Sequence, residues 1–198
     1  MEINSKRASQ LVVVWLLSVV ITQLIYIALS NAGMDINRMV IWTTEALAFL
    51  GITVFALVAL AKGERFGAAW AAIAMGGAFN VIQVGMGLAM FPPLKDAGEA
   101  MAPAFQAVLA GAFFLYFAGK FLFGFAGVVI GLDLVKSGGG LAKAAGVLAA
   151  LTGVAALLVN TYAMAVGMDV VMLAGGIGTA ATLFLALAII AANRRDVA

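Results

Sequence analysis

The sequence contains no cysteine and no histidine, and only 10% of its residues are charged. Without cysteine the chain forms no disulfide and offers no thiolate, and without histidine it lacks the usual ligand of zinc and of haem iron. These absences exclude most classes of membrane redox enzyme and predict no metal site and no cofactor. The sequence also carries no cofactor-binding motif and no pairing of a nucleophile with a base. It therefore favours a protein that is not an enzyme, and no catalytic residue is predicted.

The chain is rich in hydrophobic residues, which form long apolar stretches. Hydrophobic residues make up 65% of the sequence and the mean hydropathy is +1.15, values that are incompatible with a water-soluble domain of this size. About 20 apolar residues cross a hydrocarbon core, and lipid offers no partner to backbone amides, so each such stretch is expected to be a helix. We predict an all-α polytopic membrane protein, a bundle of six transmembrane helices that forms a single domain over residues 1–198. The predicted helices cover about 10–30, 39–61, 66–91, 104–134, 141–166 and 169–192.

The basic residues that flank these helices lie mainly on one side of the predicted bundle. Under the positive-inside rule this asymmetry places both chain termini in the cytoplasm, and the high content of alanine and glycine is compatible with a bacterial inner membrane. The distribution also accounts for the isoelectric point near 9.1, so the bilayer is expected as a partner and nucleic acid is not. The predicted cytoplasmic side carries Lys6, Arg7, Lys62, Arg65, Lys136, Lys143, Arg194 and Arg195, and the other side carries Arg38 and Lys95.

Each predicted helix contributes a polar side chain at about the same depth. Counting about 1.5 Å per residue from the nearest cytoplasmic cation puts these groups about 22 to 27 Å above the inner boundary. Apolar residues continue beyond each of them, so we expect a polar layer inside the outer half of the membrane, beneath an apolar cover. The layer consists of Gln23, Glu45, Asn80, Gln83, Lys120, Asn160 and Thr179.

Glu45 and Lys120 are the two charged members of this layer. An ionised side chain that faces lipid costs roughly 2.5 to 3.5 kcal/mol, so we expect both to face the bundle interior and to pair with each other. Two interpretations remain open, because the pair and its amides either hold the helices together or form a binding site. Tyr116, one turn before Lys120, is the best candidate for a supporting partner. The predicted ligand-binding residues are Glu45, Lys120, Asn80, Gln83, Asn160, Gln23 and Tyr116.

Methionine is concentrated toward the predicted outer side. Thioethers are ligands that suit Cu(I). Their flexible side chains equally suit an apolar entrance for a hydrophobic ligand, or they fill gaps between packed helices. The small residues Gly127 and Gly131 predict close packing of their helix, and the smooth glycine-rich surface of the last helix favours self-association. The outer methionines are Met34, Met39, Met86, Met90, Met101, Met164, Met168 and Met172.

The segment GKFLFGFAGVVIGLDLVKSGGGLAKAAGVLAALTGVAALLVN, residues 119–160, resembles a broad group of bacterial six-helix membrane proteins. In that group a glycine-rich helix ends in a short basic loop, and another helix rich in alanine, leucine and glycine follows. The resemblance implies six membrane spans. It implies no activity and assigns no functional residue.

These observations favour a small integral membrane protein that binds or transports a ligand. The ligand would be small and either zwitterionic or amphipathic, in a polar pocket in the outer half of the bilayer. Glu45 would meet its cationic or hydroxyl group and Lys120 its anionic or carbonyl group. The main alternative is a non-catalytic subunit or scaffold of a larger membrane complex. Less favoured are a methionine-based handler of Cu(I) and an enzyme in which Glu45 is a base and Lys120 an electrophile.

Overall fold

The computed structural model describes residues 3–34, 36–63 and 65–195, so the ends of the predicted domain, residues 1–2 and 196–198, lie outside the described residues. Within these ranges the chain is helical and contains no strand, which confirms the all-α class. Two 3-10 turns, Glu99–Met101 and Gly167–Val170, interrupt the helices. The helices are α1 (Ser5–Asn31), α2 (Arg38–Lys62), α3 (Gly67–Ala89), α4 (Phe91–Asp96), α5 (Ala102–Ser137), α6 (Gly140–Val166) and α7 (Val171–Arg195).

Five continuous helical stretches in the described residues are long and apolar enough to cross a membrane. They are consistent with a multi-pass membrane protein. The fifth stretch, Gly140–Arg195, is 56 residues long and contains α6, a 3-10 turn and α7. Where the sequence predicted a break between two helices, the chain instead stays helical through the 3-10 turn. It changes direction at Gly167, whose φ of 79° favours glycine, and α6 and α7 pack against each other.

The helix ends follow local capping chemistry. The side chains of Asn4 and Asn37 precede α1 and α2 and accept hydrogen bonds from backbone N–H groups of the first turn. Prolines lie in the first turn of α4 and of α5, where a missing N–H costs no helical hydrogen bond. These prolines therefore lie at the starts of the two helices that follow α3.

The helix α5 organises the bundle. It contacts α3, α6 and α7, while α1 packs against both α2 and α7 and so completes a ring of α1, α2, α3, α5 and α7. Close approach of α5 and α6 depends on glycine, as predicted. A Cβ on Gly131 would lie 2.6 Å from the carbonyl oxygen of Gly146, and a Cβ on Gly127 would lie 3.2 Å from that of Ala149. Side chains at these positions would force the two backbones apart.

One end of the bundle gathers the start of α1, the connection between α2 and α3, and the last turns of α5 and α7. Ser9 of α1 donates to Asn193 of α7 over 3.0 Å, and Arg65 contacts Asp133 of α5. We call this the basic end. Between the two ends, buried residues such as Leu16, Phe49 and Leu185 form the apolar core, whereas the outer surface keeps large exposed apolar side chains of the kind that lipid covers.

Candidate functional site

Lys120 of α5 is fully buried at the junction of α1, α5 and α7. Its Nζ donates to Oε1 of Gln23 over 3.0 Å and to Oγ1 of Thr182 over 3.4 Å. The aliphatic stem passes across α7 at Gly178, where a Cβ would lie 2.8 Å from Cγ of Lys120. The glycine therefore makes the space that the lysine stem occupies.

Gln23 links three helices through one atom. Its Oε1 accepts from Lys120 of α5 and also from Thr179 of α7, the latter over 2.6 Å. The hydroxyl of Thr182 donates to the carbonyl oxygen of Gly178 over 2.7 Å, which orients its oxygen to accept from Lys120. We call Gln23, Lys120, Thr179 and Thr182 the Lys120 network.

Tyr116 lies beside the network, one helical turn from Lys120. The lysine ammonium is 5.5 Å from the centre of the tyrosine ring, a distance at which a cation and an aromatic face attract. The tyrosine hydroxyl lies 3.2 Å from the position that a Cβ on Gly175 would take. The structure thus places Tyr116 next to Lys120, where the sequence predicted a supporting partner.

Glu45 of α2 is buried next to the network, but it does not contact Lys120. Its Oε1 accepts from Thr22 of α1 over 3.1 Å. The prediction that Glu45 and Lys120 form a direct ion pair is wrong, because no carboxylate oxygen of Glu45 lies within ion-pair distance of the ammonium. Instead α1 supplies a neutral neighbour to each charge, Thr22 to Glu45 and Gln23 to Lys120.

The other predicted amides do not hydrogen-bond to Lys120. Asn80 and Asn160 are fully buried, and each donates its side-chain N–H to the carbonyl four residues earlier in its own helix, over 2.8 and 2.9 Å. A short polar side chain returns readily to its own backbone in this way. The Oδ1 atoms of both have no hydrogen-bond partner. Gln83 is partly buried and makes no hydrogen bond within the described part of the chain.

Thr22, Thr182 and Gly178 were not among the predicted site residues. A signal for the first two was present, since Thr22 precedes Gln23 and Thr182 follows Thr179 by three residues, which places it on the same helix face. The signal of these two threonines is weak, because threonine is common in apolar helices, where it bonds to its own backbone. Nothing in the sequence identified which glycine would adjoin the lysine stem.

The outer methionines divide between packing and exposure. Met164 packs against the buried group formed by Phe117, Ala163 and Ala174. Met39 and Met172, in contrast, are 72% and 73% exposed. The thioether side chains therefore serve partly as gap fillers next to α5 and partly as surface of the kind that lipid or a ligand would cover.

A second polar group lies at the basic end. Asp133 of α5 accepts from Arg65 over 2.5 Å and from Arg195 over 3.4 Å, and Arg195 also donates to Ser137 over 2.6 Å. The Arg65 guanidinium lies 4.5 Å from the centre of the Phe66 ring. We call Arg65, Asp133, Ser137 and Arg195 the Asp133 cluster. It ties the connection between α2 and α3 to the last turns of α5 and α7.

Comparison of the chain with protein-family models, with curated proteins and with solved structures finds no match. The chemistry of the Lys120 network and of the basic end therefore provides the basis for a functional proposal.

Proposed function

We propose that the protein is a six-span protein of the bacterial inner membrane that binds or transports a small zwitterionic or amphipathic molecule. The six-span arrangement is supported by α6 and α7, which have 27 and 25 residues and fold back on each other. Each exceeds the roughly 20 residues that a span requires. The proposed orientation, with both termini in the cytoplasm, rests on the cations gathered at the basic end.

The observation that carries the proposal is the set of partners around Lys120. The ammonium is fully buried, yet the two oxygens that it contacts, from Gln23 and Thr182, are neutral. An ammonium has three donors, so one remains for a guest. A buried charge without a close counter-ion is costly, and an anionic or carbonyl group of a ligand would supply the missing partner.

Glu45 provides the complementary half of the proposed site. It is 8% exposed and one of its oxygens accepts from Thr22, which leaves the other oxygen available to a cationic or hydroxyl group. A ligand that carries both kinds of group would satisfy Lys120 and Glu45 together. Gln23 and Tyr116 are partly exposed and adjoin the ammonium, so we place the entrance of the ligand on their side.

The proposal is tested by ligand-dependent stability of the full-length purified protein. The probes are free amino acids, glycine betaine and lysophosphatidylethanolamine, all zwitterionic. A probe that binds only the folded protein raises stability by about 2.7 kcal/mol at 100 times its Kd. We expect at least one probe to raise the unfolding midpoint of the unaltered protein. We expect Lys120→Met and Glu45→Gln to abolish that shift, and Lys143→Met, at an exposed lysine of α6, to retain it.

The second candidate function, a non-catalytic subunit or scaffold of a larger membrane complex, is favoured by how completely Lys120 is enclosed. If no probe shifts the midpoint of the unaltered protein, the ligand proposal fails. If in addition the double variant Lys120→Met/Glu45→Gln recovers stability that each single change loses, the two charges serve only to hold the helices together, and the second candidate replaces the first.

A further inference from the structure

Away from the Lys120 network, a groove at the basic end separates α1 from α7 on the outside of the bundle. Its volume is about 460 Å³. The residues that line it change in character along its length. They are Lys6, Gln10 and Val13 of α1 and Ile190, Asn193 and Arg194 of α7.

The polar residues of the groove lie at its mouth and the apolar ones lie deeper in the bundle. On α1, Val13 is seven residues beyond Lys6, about 10 Å along the helix. On α7, which runs the opposite way, Ile190 precedes Arg194 by four residues, about 6 Å. The groove therefore offers two cations at the membrane surface and aliphatic side chains beneath them, the order in which a phospholipid presents its headgroup and acyl chains.

The polar groups at the mouth are available to a ligand. Lys6 and Arg194 are exposed, and neither makes an ion pair with another residue of the described ranges 3–34, 36–63 and 65–195. The side-chain oxygen of Asn193 is occupied, since it accepts from Ser9 over 3.0 Å. This bond fixes the amide so that its NH₂ remains as a donor beside the two cations. An anionic oxygen acceptor would satisfy all three groups at once.

We propose that this groove is a binding site for an anionic phospholipid, whose phosphate lies between Lys6 and Arg194 and whose acyl chain lies along Val13 and Ile190. Basic pockets between membrane helices bind anionic headgroups through this combination of charge and apolar surface. The lipid would bridge the first turns of α1 and the last turn of α7, so it would hold these two helices together.

The experiment measures lipid retained by the full-length purified protein in native mass spectrometry. The probe is dioleoyl-phosphatidylglycerol, and dioleoyl-phosphatidylcholine, which has the same chains and no net charge, is the comparison. We expect retention of the anionic lipid to exceed that of the zwitterionic one. Two cations near a headgroup predict a loss of roughly 30-fold in affinity for phosphatidylglycerol in the double variant Lys6→Gln/Arg194→Gln. The single variant Arg194→Glu, which keeps Lys6, should also lose the preference for the anionic lipid.

The matched control is Lys136→Gln/Lys143→Gln, which removes the same charge from exposed positions of α5 and α6 outside the groove. It should retain the lipid as the unaltered protein does. An equal loss in both double variants would show a general effect of surface charge and overturn the site. Equal retention of the two lipids, or unchanged retention in Lys6→Gln/Arg194→Gln, would also overturn it. Stabilisation by inorganic phosphate that matches stabilisation by phosphatidylglycerol would assign the groove to a soluble anion instead.

Discussion

The Lys120 network and the Asp133 cluster both join several helices through polar side chains, but they treat charge in opposite ways. At the basic end, Asp133 contacts two arginines directly, and the side chains of the closer pair are 38% and 34% exposed. Inside the bundle, Lys120 is 0% exposed and its hydrogen bonds go to neutral oxygens, while the nearby Glu45 has a hydrogen bond of its own with Thr22.

The difference follows from the surroundings of each group. Near water, direct ion pairs form readily and contribute little, because solvent screens the charges and stabilises them when they separate. In the interior, each charge must be solvated by the protein. Gln23 and Thr182 do this for Lys120, and Thr22 does it for Glu45. The comparison predicts that removing one group costs much more in the network than in the cluster.

The largest loss in the free energy of unfolding is expected for Lys120→Ala. The change leaves Gln23 and Thr182 without their donor, removes the charge that faces Glu45 and empties the space beside Gly178. Breaking a buried charged group in this way costs about 3 to 5 kcal/mol in the free energy of unfolding. The measurement is denaturant unfolding of the purified protein in detergent, at low and at high salt, and the loss should be the same at both.

Two comparisons sharpen this result. Lys120→Met should cost less than Lys120→Ala, because methionine fills the space of the stem while removing the same charge. Lys136→Ala, at an exposed lysine of the same helix, should change the free energy by no more than about 0.5 kcal/mol. A loss below about 1 kcal/mol for Lys120→Ala would mean that the network does not stabilise the bundle.

An intermediate loss in the free energy of unfolding is expected for Gln23→Leu. The amide oxygen accepts from the ammonium of Lys120 and from Thr179, and a hydrogen bond to a charged group is worth about 1.5 to 3 kcal/mol. Gln83→Leu is the matched change at a glutamine that makes no hydrogen bond within the described residues, and it should stay within about 0.5 kcal/mol. The measurement is the free energy of unfolding of both variants, which should differ by the value of the hydrogen bonds that Gln23 makes. Equal losses would mean that the network extends to α3.

The sequence placed three members of the network at one level along the bundle, and the reason is geometric. Helical rise is fixed at about 1.5 Å per residue, so counting from a cationic anchor places a residue along the membrane normal without any knowledge of its neighbours. Gln23, Lys120 and Thr179, which come from three helices, were assigned to one layer in this way, and hydrogen bonds join them.

The partners within the layer could not be predicted, because depth does not fix the neighbours of a helix. Helix α1 packs against both α2 and α7, so its residues reach the two charges that were expected to meet. Asn80 and Asn160 lie in the predicted layer, yet each bonds to its own backbone. Which side a residue faces depends on the packing order of all the helices. That order is set by close contacts such as Gly178 against the lysine stem.

The smallest loss in the free energy of unfolding is expected for Asp133→Asn at the basic end. The change weakens contacts with Arg65 and Arg195 while preserving shape, and partly exposed ion pairs contribute about 0.2 to 1 kcal/mol. The loss should shrink as salt is raised, since the screening length falls to about 3 Å at 1 M. Unfolding measured at low salt and at 1 M salt tests this, whereas the loss in Lys120→Ala should persist at both.

Asp96→Asn is the control for this last change, because it removes the same charge from an exposed carboxylate of α4 that makes no ion pair within the described part of the chain. It should have almost no effect at either salt concentration. A loss in Asp133→Asn that exceeds about 3 kcal/mol and is insensitive to salt would place the Asp133 cluster in the same class as a buried charged group. The contrast between the middle of α5 and its last turns would then arise from something other than access to solvent.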